Sequence, residues 1–270
     1  MTVSSPEAPT RPHPLSDRLP EGAGEGITSC ADGHTELTVD RSRLLDVLMT
    51  LRDDETTRCD LLADICAVDY PDRDARFEVV YHLAGIESGE RVRVRVPVSE
   101  DDPVVPTAYG VFKAADWFER EAYDMMGIRF DGHPNLKRIL THEAFVGHPL
   151  RKDYDPAQRW LLTENETMVP TWVEETPEGN LEFEPQVLNI GPSHPATHGT
   201  LRTIARLDGE VIVRAECEIG YLHRCFEKMS ETHGWNQVIP YTDRLNYCSS
   251  HINGAGYALA VEKMLGIEAP

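Results

Sequence analysis

Two imidazoles stand four residues apart in the run Asn189-Ile190-Gly191-Pro192-Ser193-His194-Pro195-Ala196-Thr197-His198-Gly199. Glycine and proline crowd around them, so the run reads as a tight loop that holds His198 at a defined place. Three chemistries fit these residue types. His-x3-His is a usable zinc spacing, although Pro195 keeps the two rings from sharing one regular helix and no third ligand is close in sequence. His198 can serve instead as a hydrogen-bond donor and proton source for a ligand. Both rings can also simply order the loop through bonds to backbone. A second run, Pro240-Tyr241-Thr242-Asp243-Arg244-Leu245-Asn246-Tyr247, reads as a helix start with Asp243 as its cap, and Arg244 and Tyr247 as i, i+3 neighbours. Tyr247 there either packs its ring and wets its hydroxyl or offers that hydroxyl to a ligand. A third run, Gly220-Tyr221-Leu222-His223-Arg224-Cys225-Phe226-Glu227-Lys228, sets Arg224 and Lys228 on one helical stripe.

Other chemistries lack their motifs. There is no Walker loop, GxGxxG, GxSxG or HExxH, so nucleotide handling and the common hydrolase mechanisms have no support. The cysteines Cys30, Cys59, Cys66, Cys217, Cys225 and Cys248 form no CxxC pair, so an iron–sulfur cluster held by this chain alone is not expected. Composition excludes more. With 26 basic against 46 acidic residues the net charge is −20, which opposes non-specific nucleic-acid binding and docking on anionic lipid through charge. No apolar run reaches the roughly 18 residues of a membrane-spanning helix, and the first residues carry no apolar signal-peptide core.

The elements that must position these runs divide the chain. Residues 1–33 read as a disordered tail with five prolines. From 34 to 158 the pattern is an α/β module. Asp40 caps a helix bearing Leu44, Leu45, Leu48 and Leu51; strands follow at Leu61–Val68 and Arg76–Leu83, with a turn at Ser88-Gly89-Glu90. The next strand alternates Val92, Val94, Val96 and Val98 against Arg91, Arg93 and Arg95, with Pro97 marking a strand end or a sheet edge. Its arginines read as a solvated stripe or as a surface for an acidic partner. A helix runs from about Ala114 to Met126, stopped by Gly127, with Trp117, Glu121 and Asp124 on one face. Residues 159–185 read as an acidic linker: between Trp160 and Pro185 there are seven glutamates, three prolines and no basic residue. From 186 to 270 the pattern is a hairpin around Asp208-Gly209, a helix over Leu222–His233 ended by Gly234, and a longer helix from about Asp243 to Leu265 ended by Gly266. That is a thin core for a domain. The fold class expected is α+β, an N-terminal α/β module joined to an incomplete region of hairpin and helices.

Two long runs resemble known proteins. Residues Trp117–Ile128, His133–Thr141 and Gly147–Tyr154 resemble the C-type subunit of respiratory complex I, the NADH:quinone oxidoreductase. Gly191–Gly199, Gly220–Arg224, Glu227-Lys228, Pro240–Tyr247 and Ala260–Ile267 resemble the start of its D-type subunit, in the order of the fused C/D subunit. The resemblance covers most of residues 38–158 and 186–270. It implies a peripheral-arm subunit on the cytoplasmic side of the cell membrane, beside a B-type iron–sulfur subunit and the other peripheral-arm subunits. It implies quinone as substrate, no cofactor held by this chain alone, and a partner-held cluster as the electron source. The headgroup ligands it implies are His198 and Tyr247, both catalytic. Two positions depart from the family pattern: Cys225 replaces a usual Gly, and Asn246 a usual Asp. The resemblance stops before the larger C-terminal part of the D-type subunit, which carries an acidic partner for the loop histidine. With Pro270 as the end, the isolated chain is expected not to reduce quinone. A non-catalytic scaffold, docking through the arginine stripe and Arg151-Lys152, is the alternative. The related nickel–iron hydrogenase large subunits place a CxxC near residues 246–249; here Cys248 stands alone, so nickel is not expected.

Overall fold

A computed structural model describes residues 19–20, 26–30, 34–157, 186–197 and 199–267. The chain forms two units, one running to Tyr221 and one from Leu222 onward. The fold is α+β, as the patterning predicts.

The first unit is built on a five-stranded sheet in the order β1-β2-β5-β4-β3, formed by β1 (Ile27–Ser29), β2 (Thr35–Thr38), β3 (Leu61–Asp69), β4 (Phe77–Ala84) and β5 (Arg91–Val98). β1, β2 and the buried Leu19 fall in or beside the stretch expected to be tail. Ile27 and Thr28 offer the backbone an edge to pair with Leu37 and Glu36, which the proline content around them obscured. The alternating valines are all buried, each facing a residue of β4: Val92 Leu83, Val94 Tyr81, Val96 Val79 and Val98 Phe77. Onto this face pack α1 (Leu44–Asp53), through Leu44, Val47, Leu48 and Leu51, and α2 (Ala115–Met126), which lies against β3. Asp40 does cap, accepting from Ser42 N–H and hydroxyl, but the capped turn is a 3-10 turn, Arg41–Arg43, that leads into α1. Pro97 sits where β5 is paired on one side, because β2 reaches only to Arg95.

The arginine stripe lies on the opposite face, where Arg93 and Arg95 are internally paired and Arg91 is exposed. Glu36 on β2 takes Arg93 at 3.1 Å and Arg95 at 2.6 Å, and Arg95 also reaches Glu78 on β4 at 2.7 Å. The period-2 pattern puts these arginines on the wet face; β2, which carries no strand signal of its own, supplies an acid as their partner.

α2 ends at Gly127 as expected, but its faces differ from the spacing argument. Trp117 and Glu121 are exposed while Asp124 is fully buried, because residues 137–150 fold over the C-terminal half of the helix. Glu119 is also fully buried, between the core positions Ala115 and Ala122. Its carboxylate accepts from the Thr107 hydroxyl and the Ala108 N–H, both at 2.6 Å, tying α2 to the end of β6 (Val104–Pro106), which pairs with β7 (Arg129–Asp131). His133, with its side chain fully buried, donates from Nε2 to the Asp116 carbonyl and accepts from Asn135 N–H at Nδ1.

A second sheet, in the order β12-β11-β8, comprises β8 (Gln186–Ile190), β11 (Arg202–Asp208) and β12 (Val211–Glu218), with the expected hairpin turn at Gly209. Between β8 and β11 lies a small ladder of β9 (Ser193–His194) and β10 (Gly199–Thr200). The second unit holds α3 (Phe226–Glu231), α4 (Trp235–Thr242) and α5 (Ser250–Leu265). The helix expected over Leu222–His233 is thus shorter, and Gly234 caps the start of α4 instead of ending its predecessor. The last helix begins at Ser250, not Asp243, because Asn246 at φ −138°, ψ 87° breaks the run; Asp243 closes α4. It ends at Gly266 as expected, and it has no buried residue. The acidic linker lies outside the described residues.

Burial pushes the Glu119 carboxyl up to about 7, against the two hydrogen bonds that favour its ionised form. A folded-state value above the ordinary 4.5 means the native protein holds this proton more tightly than the unfolded chain. The contribution is fully present below 4.5 and is lost as pH rises through 7. Glu119→Gln should therefore gain on the parent by roughly 3 kcal/mol between pH 4.5 and pH 8. Urea unfolding of both proteins at the two pH values checks this; an unchanged difference would refute it.

Candidate functional site

The loop that carries the two imidazoles is anchored at its base. Arg202 at the start of β11 donates to Asn189 Oδ1 on β8 from Nε and Nη2, at 3.2 and 3.0 Å, and to Glu218 on β12 at 3.1 Å. One guanidinium therefore ties the three strands together at the end where the loop leaves. Gly191 has φ +91°, and a Cβ there would lie 1.9 Å from the Leu201 carbonyl oxygen, so no other residue fits. The Gly191–Pro192 bond is cis. Ser193 and His194 pair with Thr200 and Gly199, and a 3-10 turn, Pro195–Thr197, bridges them. His194 is exposed and accepts from Ala196 N–H at Nδ1, the loop-ordering role. His198 lies outside the described residues. Among the described residues no group of three or more His, Cys, Asp or Glu side chains is arranged to hold a metal ion.

Tyr247 opens a 3-10 turn, Tyr247–Ser249, directly before α5, and is 56% exposed. The turn is held by Ser249 N–H and the Asn253 side-chain amide, both donating to the Asn246 carbonyl. Arg244 donates to the Pro240 carbonyl at 2.7 Å, so it completes the end of α4 and does not share a helix with Tyr247. The structure thus describes one of the two expected headgroup ligands, in the second unit.

A polar centre that sequence reasoning missed lies under the 137–154 segment. The buried Asp124 carboxylate accepts at Oδ2 from three consecutive N–H groups, Ile139 at 3.0 Å, Leu140 at 2.8 Å and Thr141 at 2.9 Å. At Oδ1 it accepts from Arg138 at 2.6 Å and from the Thr141 hydroxyl. Burial raises this carboxyl, but the Thr141 hydroxyl, the N–H groups and the Arg138 guanidinium together hold it below the usual aspartate range. The end of α2 is closed by the same segment: His148 donates to the Asp124 carbonyl, Leu150 N–H to Met125 and Arg151 Nε to Met126. Lys152 N–H goes to the buried Asp69, which also takes Arg76 at 2.8 and 3.0 Å. The run Gly147–Asp153 therefore does structural work at nearly every residue. Arg93, Arg95 and Arg151 make their contacts inside the fold, whereas Arg91 and the Lys152 side chain are exposed. Spacing could have marked Glu119, an acid among the core-period positions Ala115, Ala122 and Met126, but it gives no such mark for Asp124.

Against known proteins, residues 37–159 match the family described as "Respiratory-chain NADH dehydrogenase, 30 Kd subunit". Beyond that segment the likeness extends to fused subunits. The chain is 54% identical over 224 residues to the C/D subunit of NADH-quinone oxidoreductase from Bdellovibrio bacteriovorus, covering 83% of this chain and 40% of that protein. It is 41% identical to the C/D subunit from Methylococcus capsulatus, covering 89% of this chain and 44% of that one. A trypsin-resistant fragment of Nqo5 is 33% identical, covering 41% of this chain and 88% of the fragment, with a TM-score of 0.36. The chain is thus similar, over more than four fifths of its length, to fused C/D subunits of NADH-quinone oxidoreductase, and its residues 37–159 carry the 30 kDa subunit signature. It spans about 40 to 44% of the length of these relatives.

Cys225 adopts φ 48°, ψ 49°, the left-handed conformation that glycine tolerates and a β-carbon resists. Cys225, where the resemblance implies Gly, thus occupies a backbone conformation suited to glycine. Cys225→Gly is expected to raise stability by about 1 kcal/mol, read as a higher thermal midpoint. A lower midpoint would show that the thiol, 3.9 Å from His223 Nδ1, contributes more than the strain costs.

Removing the Asp124 charge leaves Arg138 facing a neutral group in a buried setting. Asp124→Asn should cost roughly 3–5 kcal/mol in chemical denaturation at neutral pH. The contribution is present above the ordinary aspartate value of 3.8 and is lost as pH falls through the lower folded value, so the gap between the two proteins should narrow in acid. A gap independent of pH would show that packing, not charge, sets the loss.

Proposed function

We propose that this chain is the part of a peripheral-arm subunit of NADH:quinone oxidoreductase that presents two donors, His198 and Tyr247, to a quinone headgroup. The carrying observation is similarity to C/D subunits across both parts of the chain, 83% of it at 54% identity. The proposed organisation is a C-like module over 34–158, a linker over 159–185 and the opening of a D-like region over 186–270. The subunit sits on the cytoplasmic face of the membrane, against a B-type iron–sulfur subunit and the other peripheral-arm subunits. No described helix is long and apolar enough to cross a bilayer.

The chemistry follows from the two side-chain types. Two electrons, which an iron–sulfur cluster held by the partner would supply one at a time, make each quinone oxygen strongly basic. One proton comes from the His198 imidazolium and one from the Tyr247 phenol, giving the quinol, and both donors are re-protonated from water. Donors already aimed at each oxygen stabilise the developing charge without reorganising solvent. An imidazolium is the stronger acid and suits proton delivery near neutral pH; a phenol, the weaker acid, suits a standing hydrogen-bond donor that gives up its proton only to a reduced oxygen. Outside the complex, with Tyr247 more than half exposed, the chain is not expected to turn over.

In the assembled enzyme, His198→Ala and Tyr247→Phe should each lower NADH:quinone reductase turnover about 10²–10³-fold. NADH oxidation by a soluble one-electron acceptor, which bypasses the quinone, should stay unchanged. Full quinone turnover in both variants would refute the assignment.

A further inference from the structure

The segment gripped by Asp124 also reaches outward. Lys137 contacts Glu216 on β12, the two side chains being 30% and 22% exposed. Burial and the neighbouring Arg120 both disfavour the Lys137 ammonium, as does Arg214, so a carboxylate in contact has a physical reason to be there. Three positions on, Leu140 receives a contact of another kind. Gly220, just beyond β12, has φ +92°, and a Cβ there would stand 2.4 Å from the Leu140 carbonyl oxygen. Only glycine allows that approach.

Both contacts fall at one end of the sheet. Register pairs Arg202 with Glu218, Ile204 with Glu216 and Thr203 with Ile190, so the C-terminal end of β12 lies beside the end of β8 and the start of β11. The Gly191–Gly199 loop leaves from that end, above the Arg202 clamp.

We propose that residues 137–141 form the docking seat of the β8–β11–β12 sheet, recognising it through Lys137 with Glu216 and the Leu140 carbonyl with Gly220. Asp124, which fixes the seat, is then a positioning residue for the loop that carries His198. The positioning role rests on the quinone reading; the seat does not.

Charge reversal tests it in the assembled enzyme and in the full chain. Lys137→Glu and Glu216→Lys should each speed amide exchange in β11 about tenfold and raise the quinone KM more than they lower kcat. The double variant should return both to within about twofold of the parent, a rescue that a merely structural loss would not give. If reversal prevents folding, Lys137→Gln and Glu216→Gln carry the same comparison. A double variant no better than the worse single overturns the seat. Exchange that is coupled while the single variants keep the parent KM overturns the positioning role. Coupled exchange together with full turnover of the His198 and Tyr247 variants refutes the quinone reading and leaves the seat standing.

Discussion

A carboxylate without water is unstable unless every lone pair is answered, and Asp124 has its oxygens answered by five donors. Three of these are successive backbone N–H groups, which face one oxygen only if residues 139–141 curl around it. The carboxylate therefore dictates the shape of an irregular segment that has no ladder of its own. That segment supplies the donors which close the carbonyl end of α2, and through Lys152 it reaches Asp69 at the end of β3. Helix, segment and sheet are joined by charge-assisted bonds at places where apolar packing alone would leave several arrangements equally good.

The same logic governs the wet face of the sheet. A protein with a net charge of −20 can hold an arginine row only if acids stand close, and Glu36 and Glu78 do so across two strands. Burial raises the Glu36 carboxyl, yet the Arg95 and Arg93 bonds hold it below its ordinary value. The row fixes register between β2, β5 and β4 on a face where polar alternation alone tolerates a two-residue slip.

Much of this was legible in the amino-acid pattern. The valine alternation, the hairpin at Asp208-Gly209 and the stops at Gly127 and Gly266 each rest on local rules, and local rules suffice for them. What escaped needed partners distant in sequence. Asp124 looks like a surface acid until residues 137–141 cover it. Arg93 and Arg95 look free until β2 is known to pair parallel to β5. Strand β1 escaped for a different reason, since three residues among prolines and glycines carry little signal until Leu37 offers an edge. Of the two side chains the resemblance marks for quinone, Tyr247 stands in a turn before α5, where periodicity predicts a place inside the helix itself.

That turn bears on the chemistry. Preorganised donors stabilise a developing oxyanion because water is kept away; a hydroxyl in water gains little, since solvent answers the same charge. Tyr247 is 56% exposed, and α5 behind it shows Ile252, Leu259 and Met264 at 73, 64 and 67%. A helix apolar around its circumference is one that other helices surround. On the proposed quinone reading, the exposed Tyr247 hydroxyl acts as a strong donor only once a covering surface excludes water from it, and the apolar faces of α5 are what such a surface would pack on. On that reading, the packing of α5 and the strength of the Tyr247 donor both turn on what covers this part of the chain.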